Sequence, residues 1–252
     1  MREGKGLLLY AIMANPALPR EALSGVSGQP LHFVRVAEGG LWAAVSTLAD
    51  PASLHPPQTA DALAYHRVLQ ALHQVAAILP LRYGTVLDDA DQVRKLLVDK
   101  QQEYENLLAR VADCHEFGIH AQLATPASTI PAAPAKSEPS APPSSPGPQG
   151  AAYLRARKQH YQREDAETSA AEALVGRLAA TLEPWTRERQ AQYGPSPSAR
   201  LSGQILSMSF LVPRGQEQPF RRAFAGLQSA EPQQLQLLGP WPPYSFLSAR
   251  AS

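Results

Sequence analysis

Apolar and polar positions recur along most of this chain with periods that change from strand-like to helical and back. Residues 7–13 form an uninterrupted apolar run that reads as a buried strand, and residues 16–23 read as a turn or short helix. Residues 31–36 and 41–46 flank Glu38-Gly39-Gly40, turn chemistry that predicts a β-hairpin. Tyr65, Val68, Leu69, Leu72, Val75, Ala76 and Leu79 fall at helical spacing, which predicts one amphipathic helix over 59–79, stopped by Pro80. Residues 81–86 are short and β-favouring. Asp88 and Asp89 supply an N-cap and Asp91 an acidic first turn for the next stripe, Val93, Leu96, Leu97, Tyr104, Leu107, Leu108 and Val111. Residues 114–123 return as a strand. This order predicts an α+β unit over 1–124, a mainly antiparallel sheet with two covering helices.

From 125 to 150 the periodicity stops, and proline, alanine and serine dominate with Ile130 as the lone large aliphatic residue, a composition that predicts a disordered linker. Residues 151–182 then read as a long helix carrying Ala171, Leu174, Val175, Leu178 and Leu182 on one face, ended by Pro184. Residues 205–212 form a clear strand, Phe220, Phe224 and Leu227 lie one helical turn apart, and Leu235 and Leu237 alternate with glutamines in a last strand. The second unit, 151–252, is thus a smaller α+β domain with a long helix. It closes on Gly239-Pro240-Trp241-Pro242-Pro243-Tyr244-Ser245-Phe246, whose prolines fix φ and remove amide donors, so a stiff polyproline-type ribbon is expected. Its rings, Trp241, Tyr244 and Phe246, suit either a seal on the protein's own core or a contact with another chain.

Composition narrows the function. With 252 residues and a net charge of +1, no global field draws the molecule to nucleic acid or anionic lipid. No run approaches the ~20 apolar residues of a membrane span, so neither partner is expected. The single cysteine, Cys114, excludes an internal disulfide, fits a reducing cytoplasmic setting and reads as a buried structural residue. His66 and His73 lie two turns apart on one helix, too far for one ion, while His115 and His120 point to opposite strand faces and read as exposed or capping residues. Asp88, Asp89 and Asp91 are explained by capping. No catalytic, cofactor-binding or metal-binding residue is assigned. The turn at Pro80-Leu81-Arg82-Tyr83-Gly84 holds Arg82 between constrained residues, for an internal carboxylate or an outside partner. It supports one alternative, a small-molecule enzyme sited there. The basic stretch 155–163 supports another, a nucleic-acid contact, which neighbouring Glu164, Asp165 and Glu167 oppose.

Several motifs in this order resemble the GvpF/GvpL family of gas vesicle proteins: Leu8-Leu9-Tyr10-Ala11-Ile12, the block 75–86 with Leu79-Pro80-Leu81-Arg82-Tyr83-Gly84-Thr85-Val86, Glu116-Phe117-Gly118-Ile119, Ala152-Tyr153-Leu154, and the Gly239 to Phe246 ribbon. The chain departs from the family pattern at Phe117 and His120 and in its longer proline-rich insert. The resemblance implies a modified ferredoxin-like N-terminal domain and an α+β C-terminal domain. It implies an accessory or minor structural protein of cytoplasmic gas vesicles, one that binds the hydrophobic shell protein and other accessory proteins, assists nucleation and assembly, and prevents aggregation. It implies no enzyme activity. Arg82, Tyr83, Trp241, Tyr244 and Phe246 are the expected partner-binding residues.

Overall fold

A computed structural model describes residues 6–14, 23–36, 40–54, 58–122, 157–158, 169, 171–195, 204–230 and 234–247. These residues form an α+β fold with two antiparallel sheets. The first sheet contains β1 (Gly6–Met13), β2 (Leu31–Arg35), β3 (Trp42–Leu48), β4 (Leu79–Pro80) and β5 (Val86–Leu87) in the order β2-β3-β1-β4, with β5 also pairing with β1. β2 and β3 are the expected hairpin, in register from Leu31 opposite Ser46 to Arg35 opposite Trp42. Helix α1 (Thr59–Val75) ends sooner than its periodicity predicts, because Leu79 and Pro80 leave the helical path to pair with Ile12 and Ala11 of β1.

The apolar run of β1 is buried on both sides. Leu8 and Tyr10 face Tyr65, Val68, Leu69 and Leu72 of α1, whereas Leu9 and Ile12 face Val93 and Leu97 of α2 (Ala90–Asp99) and Tyr104 and Leu108 of α3 (Gln101–Val111). A bulge between Leu9 and Ala11 lets Tyr10 and Ala11, consecutive in the chain, serve the same side. The sheet is therefore held between α1 on one face and α2 with α3 on the other, where the sequence predicted simply two covering helices. The predicted cap is present: the Asp89 carboxylate accepts the backbone N–H groups of Asp91 and Gln92, both at 2.9 Å, an arrangement typically worth ~1 kcal/mol.

The second sheet corrects one expectation. β6 (Cys114–Gln122) was placed with the first sheet, yet it is an inner strand of the second, whose order is β7-β8-β6-β9, with β7 (Glu188–Pro195), β8 (Gln204–Pro213) and β9 (Gln234–Trp241). Antiparallel pairing to β8 runs from Cys114 opposite Pro213 to Gln122 opposite Ile205, and that long ladder outweighs nearness in sequence. The helical run α4 (171–182) and α5 (Glu217–Ala230) cover one face, where Phe117, Ile119, Met208, Phe210, Phe220 and Leu178 are fully buried. The two sheets share a core: Cys114, Leu211 and Phe246 pack among Leu9, Ile12, Leu97 and Leu108. The expected linker at 125–150 lies outside the described residues, as does most of the basic stretch 155–163.

The expected polyproline ribbon is also revised. β9 continues through Pro240 to Trp241, which an edge strand tolerates because its outer amide positions need no partner. The Gly239–Pro240 bond is cis, and Gly239 has φ +110, a conformation open to glycine; a Cβ there would sit 2.7 Å from the Glu116 carbonyl oxygen. Pro242 and Pro243 are buried, and Tyr244–Phe246 closes as a 3-10 turn.

Candidate functional site

Where the two sheets meet, α1, the turn after β4, α3 and the C-terminal segment surround an open groove of about 940 Å³. Its lining brings together two regions singled out separately in the sequence, Arg82 with Tyr83 and Tyr244. Tyr65, Leu79, Leu81, Tyr104, Leu107 and Leu247 complete a mainly apolar wall, and His66, Glu103 and Arg82 give it a polar margin.

The groove is held rigid by stacked tyrosines. Tyr10 stacks on Tyr65 with ring centroids 4.8 Å apart, and Tyr83 meets Tyr65 edge-on at 5.2 Å. The Tyr65 hydroxyl shares its proton between the carbonyls of Leu9 at 2.9 Å and Leu81 at 3.0 Å, tying the β4 turn to β1. The Thr85 hydroxyl donates to the Arg82 carbonyl at 2.8 Å, which fixes the turn from its other end. Burial pushes the Tyr65 phenol far above its ordinary range, and nearby Tyr244, Tyr10 and Tyr83 add to the shift. Tyr244 is pushed up to about 12 by burial and by the Glu116 carboxylate, and Tyr83 is raised chiefly by burial. All three remain neutral hydroxyls near neutral pH; that of Tyr65 is spent on backbone carbonyls and that of Tyr83 is buried without a partner, so the groove presents mainly ring faces.

The five expected contact residues separate in space. Tyr244 is 39% exposed, Arg82 is exposed and Tyr83 half-buried at the groove. Trp241 lines a different, smaller cavity beside Glu116. Phe246 is 0% exposed within the shared core, so its ring packs the fold and does not reach the groove surface. Arg82 forms no ion pair among the described residues. The internal arginine fork is Arg110, whose Nε and Nη2 reach Glu188 at 2.8 and 2.6 Å and whose Nη1 donates to the Phe246 carbonyl at 3.1 Å.

The histidine reading changes as well. His73 and His115 are both buried, with His73 Nε2 and His115 Nδ1 2.9 Å apart, so His115 is neither exposed nor a cap. Arg214 donates to the His73 carbonyl and lies 3.7 Å from Asp113. Burial first, then Arg214 and His115, push His73 down to about 3, and burial with Arg214 lowers His115. Sequence spacing within one element could not reveal a partner 42 residues away. Cys114 is buried, and burial raises its thiol, as a structural cysteine requires. Among the described residues no group of three or more His, Cys, Asp or Glu side chains is placed to hold a metal ion, and no helix is long and apolar enough to cross a membrane.

These features define an α+β protein of two sheets with an aromatic groove at their junction. Residues 6–248 match the model of the family described as gas vesicle synthesis protein GvpL/GvpF, and the chain belongs to that family. It is 31% identical over 248 residues to gas vesicle protein L of Streptomyces sp. (strain CB03234), covering 90% of this chain and 86% of that one. It is 27% identical over 241 residues to gas vesicle protein F of the same organism, covering 93% and 95%. Its fold is that of the crystal structure of the gas vesicle protein GvpF from Anabaena sp. PCC7120, with a TM-score of 0.73 at 17% identity over 97% of each chain. The crystal structure of GvpF from Microcystis aeruginosa gives a TM-score of 0.72 at 16% identity, covering 97% of this chain and 99% of that one.

Proposed function

We propose that this protein is an accessory or minor structural component of cytoplasmic gas vesicles that binds the hydrophobic shell protein, guides nucleation and assembly with other accessory proteins, and keeps shell subunits from aggregating. The observation that carries this reading is the convergence of Tyr83, Tyr244, Leu81 and Leu247 on one open groove. A subunit that must turn an apolar face to gas associates indiscriminately in water, since buried apolar area yields ~25 cal/mol per Å². A rigid wall of aromatic and aliphatic side chains covers such a face at small entropic cost, and Arg82 and Glu103 satisfy polar groups at its edge. We read the groove as a binding surface and not as an enzyme site. Its perturbed phenols are shifted away from releasing protons, and Arg82 has no carboxylate partner among the described residues.

Co-expression with the shell protein followed by affinity capture tests the reading. Replacing Tyr83 and Tyr244 together by alanine is expected to lower capture at least about tenfold, because aromatic anchors dominate such interfaces, while the exposed position of Tyr244 keeps its share of the stability loss within about 1 kcal/mol. Undiminished capture by the folded double variant would remove the groove from the interface.

A further inference from the structure

The face of the second sheet turned away from its helices is partly polar. Strand alternation sends Phe117, Ile119, Met208 and Phe210 to the helices, and Glu116, Gly118, His120, Ser207 and Ser209 to the other side. There, Gln190, Trp241 and Ser245 join them around a cavity of about 170 Å³. Its innermost charge is Glu116, only 3% exposed. Glu116 Oε2 accepts the Ser245 backbone N–H at 2.8 Å and Oε1 accepts the Ser245 hydroxyl at 2.5 Å, with the Ser209 hydroxyl 3.0 Å from that of Ser245. No cation among the described residues pairs with it.

The same row of the sheet supplies a control. Glu116 stands opposite Leu211, and Leu211 stands opposite Glu188. Glu188 has the Arg110 guanidinium at 2.6 Å, whereas Glu116 opens onto a cavity. A buried carboxylate without a counter-charge is costly, and burial accordingly holds the Glu116 carboxyl above the usual carboxylate range despite the serine hydrogen bonds.

We propose that this cavity is a binding site for an organic cation, the ammonium or guanidinium head-group of a basic side chain or a free amine. Glu116 supplies the charge through the lone pairs that Ser245 and Ser209 leave free. The Trp241 indole supplies a π surface, and Ser207 and Gln190 supply acceptors for the remaining N–H groups. The volume holds a head-group and a short stem, well below the ~300 Å³ at which pockets begin to enclose drug-sized ligands. This site is separate from the tyrosine groove, so the two proposals stand or fall independently.

Titrating the full chain with n-butylammonium, methylguanidinium and an acetylated Gly-Lys-Gly amide, with n-butanol as the neutral control, tests the site through the Trp241 indole resonance. The cations are expected to shift that resonance saturably and butanol is not. Tenfold tighter binding of the peptide identifies a protein side chain as the source, and tighter binding of the simple cations identifies a free amine. Glu116→Gln is expected to weaken binding at least tenfold. Gln190→Lys, which leaves Glu116 in place, is expected to fill the site with a tethered ammonium, abolish binding and raise Tm. No saturable shift with any cation, an equal response to butanol, or unchanged binding in both variants would overturn the proposal.

Discussion

The first sheet is apolar on both faces, whereas the second turns an apolar face to its helices and a mixed one, with Glu116, Ser207 and Ser209 beside Cys114 and Leu211, toward the joint with the first. β1 carries Leu8, Leu9, Tyr10, Ala11 and Ile12 with no exposed area, and its two sides are consumed by α1 and by α2 with α3. β6 alternates, with Phe117 and Ile119 under the helices and Glu116, Gly118 and His120 on the cavity side. The first arrangement leaves little to bind anything except at its margin, where Tyr83 and Tyr244 meet. The second keeps a small polar cavity around Glu116 beside the shared core.

The contrast breaks first at the covered face of the second sheet. Phe220 is fully buried against Phe117 and Phe210, so Phe220→Ala is expected to cost about 3–5 kcal/mol in urea denaturation. Ser207→Ala on the cavity face is expected to change stability by no more than about 0.5 kcal/mol. Comparable losses would show that the two faces are not energetically distinct.

Acid sharpens the comparison at the joint between the sheets. His73 titrates at about 3 in the folded chain against an ordinary 6.5, so the unfolded chain takes up a proton first as pH falls. Its contribution is absent above pH 6.5 and destabilises the fold progressively between 6.5 and about 3, with a limiting slope of ~1.4 kcal/mol per pH unit. Thermal melts across that window should fall less steeply for His73→Leu than for the wild type. Parallel curves would place the acid sensitivity elsewhere.

A smaller effect, about 2–3 kcal/mol, is expected for Gly239→Ala, which combines a positive φ with a Cβ pressed on the Glu116 carbonyl. Circular dichroism melting measures it. A neutral result would mean that the β9 bend relaxes freely.

Much of this architecture was legible residue by residue. The hairpin, the start of α1, the Asp89 cap, β8 and the Phe220-Phe224 face all follow from local period and turn chemistry. What periodicity lacks is the identity of partners. β6 looked like the end of the first unit because its partners in β8 and β9 come after the proline-rich insert. Phe246 and Tyr244 are two residues apart in a ring-bearing segment, yet one enters the core and the other stands on the groove, a split made by the 3-10 turn. Glu116 was visible only as part of a motif, and nothing local announced that Ser245 would bury it. The groove was half legible: both of its aromatic regions were recognised, but only the fold puts them side by side.

The central claim, that the shell protein docks in the tyrosine groove, is tested most directly by amide hydrogen exchange of this chain with and without shell protein. Slowed exchange is expected in the groove segments 62–66, 81–83, 103–107 and 244–247, with the outer strand β7 unchanged. Protection confined to β7 or α5, with these four segments exchanging as in the free chain, would contradict it.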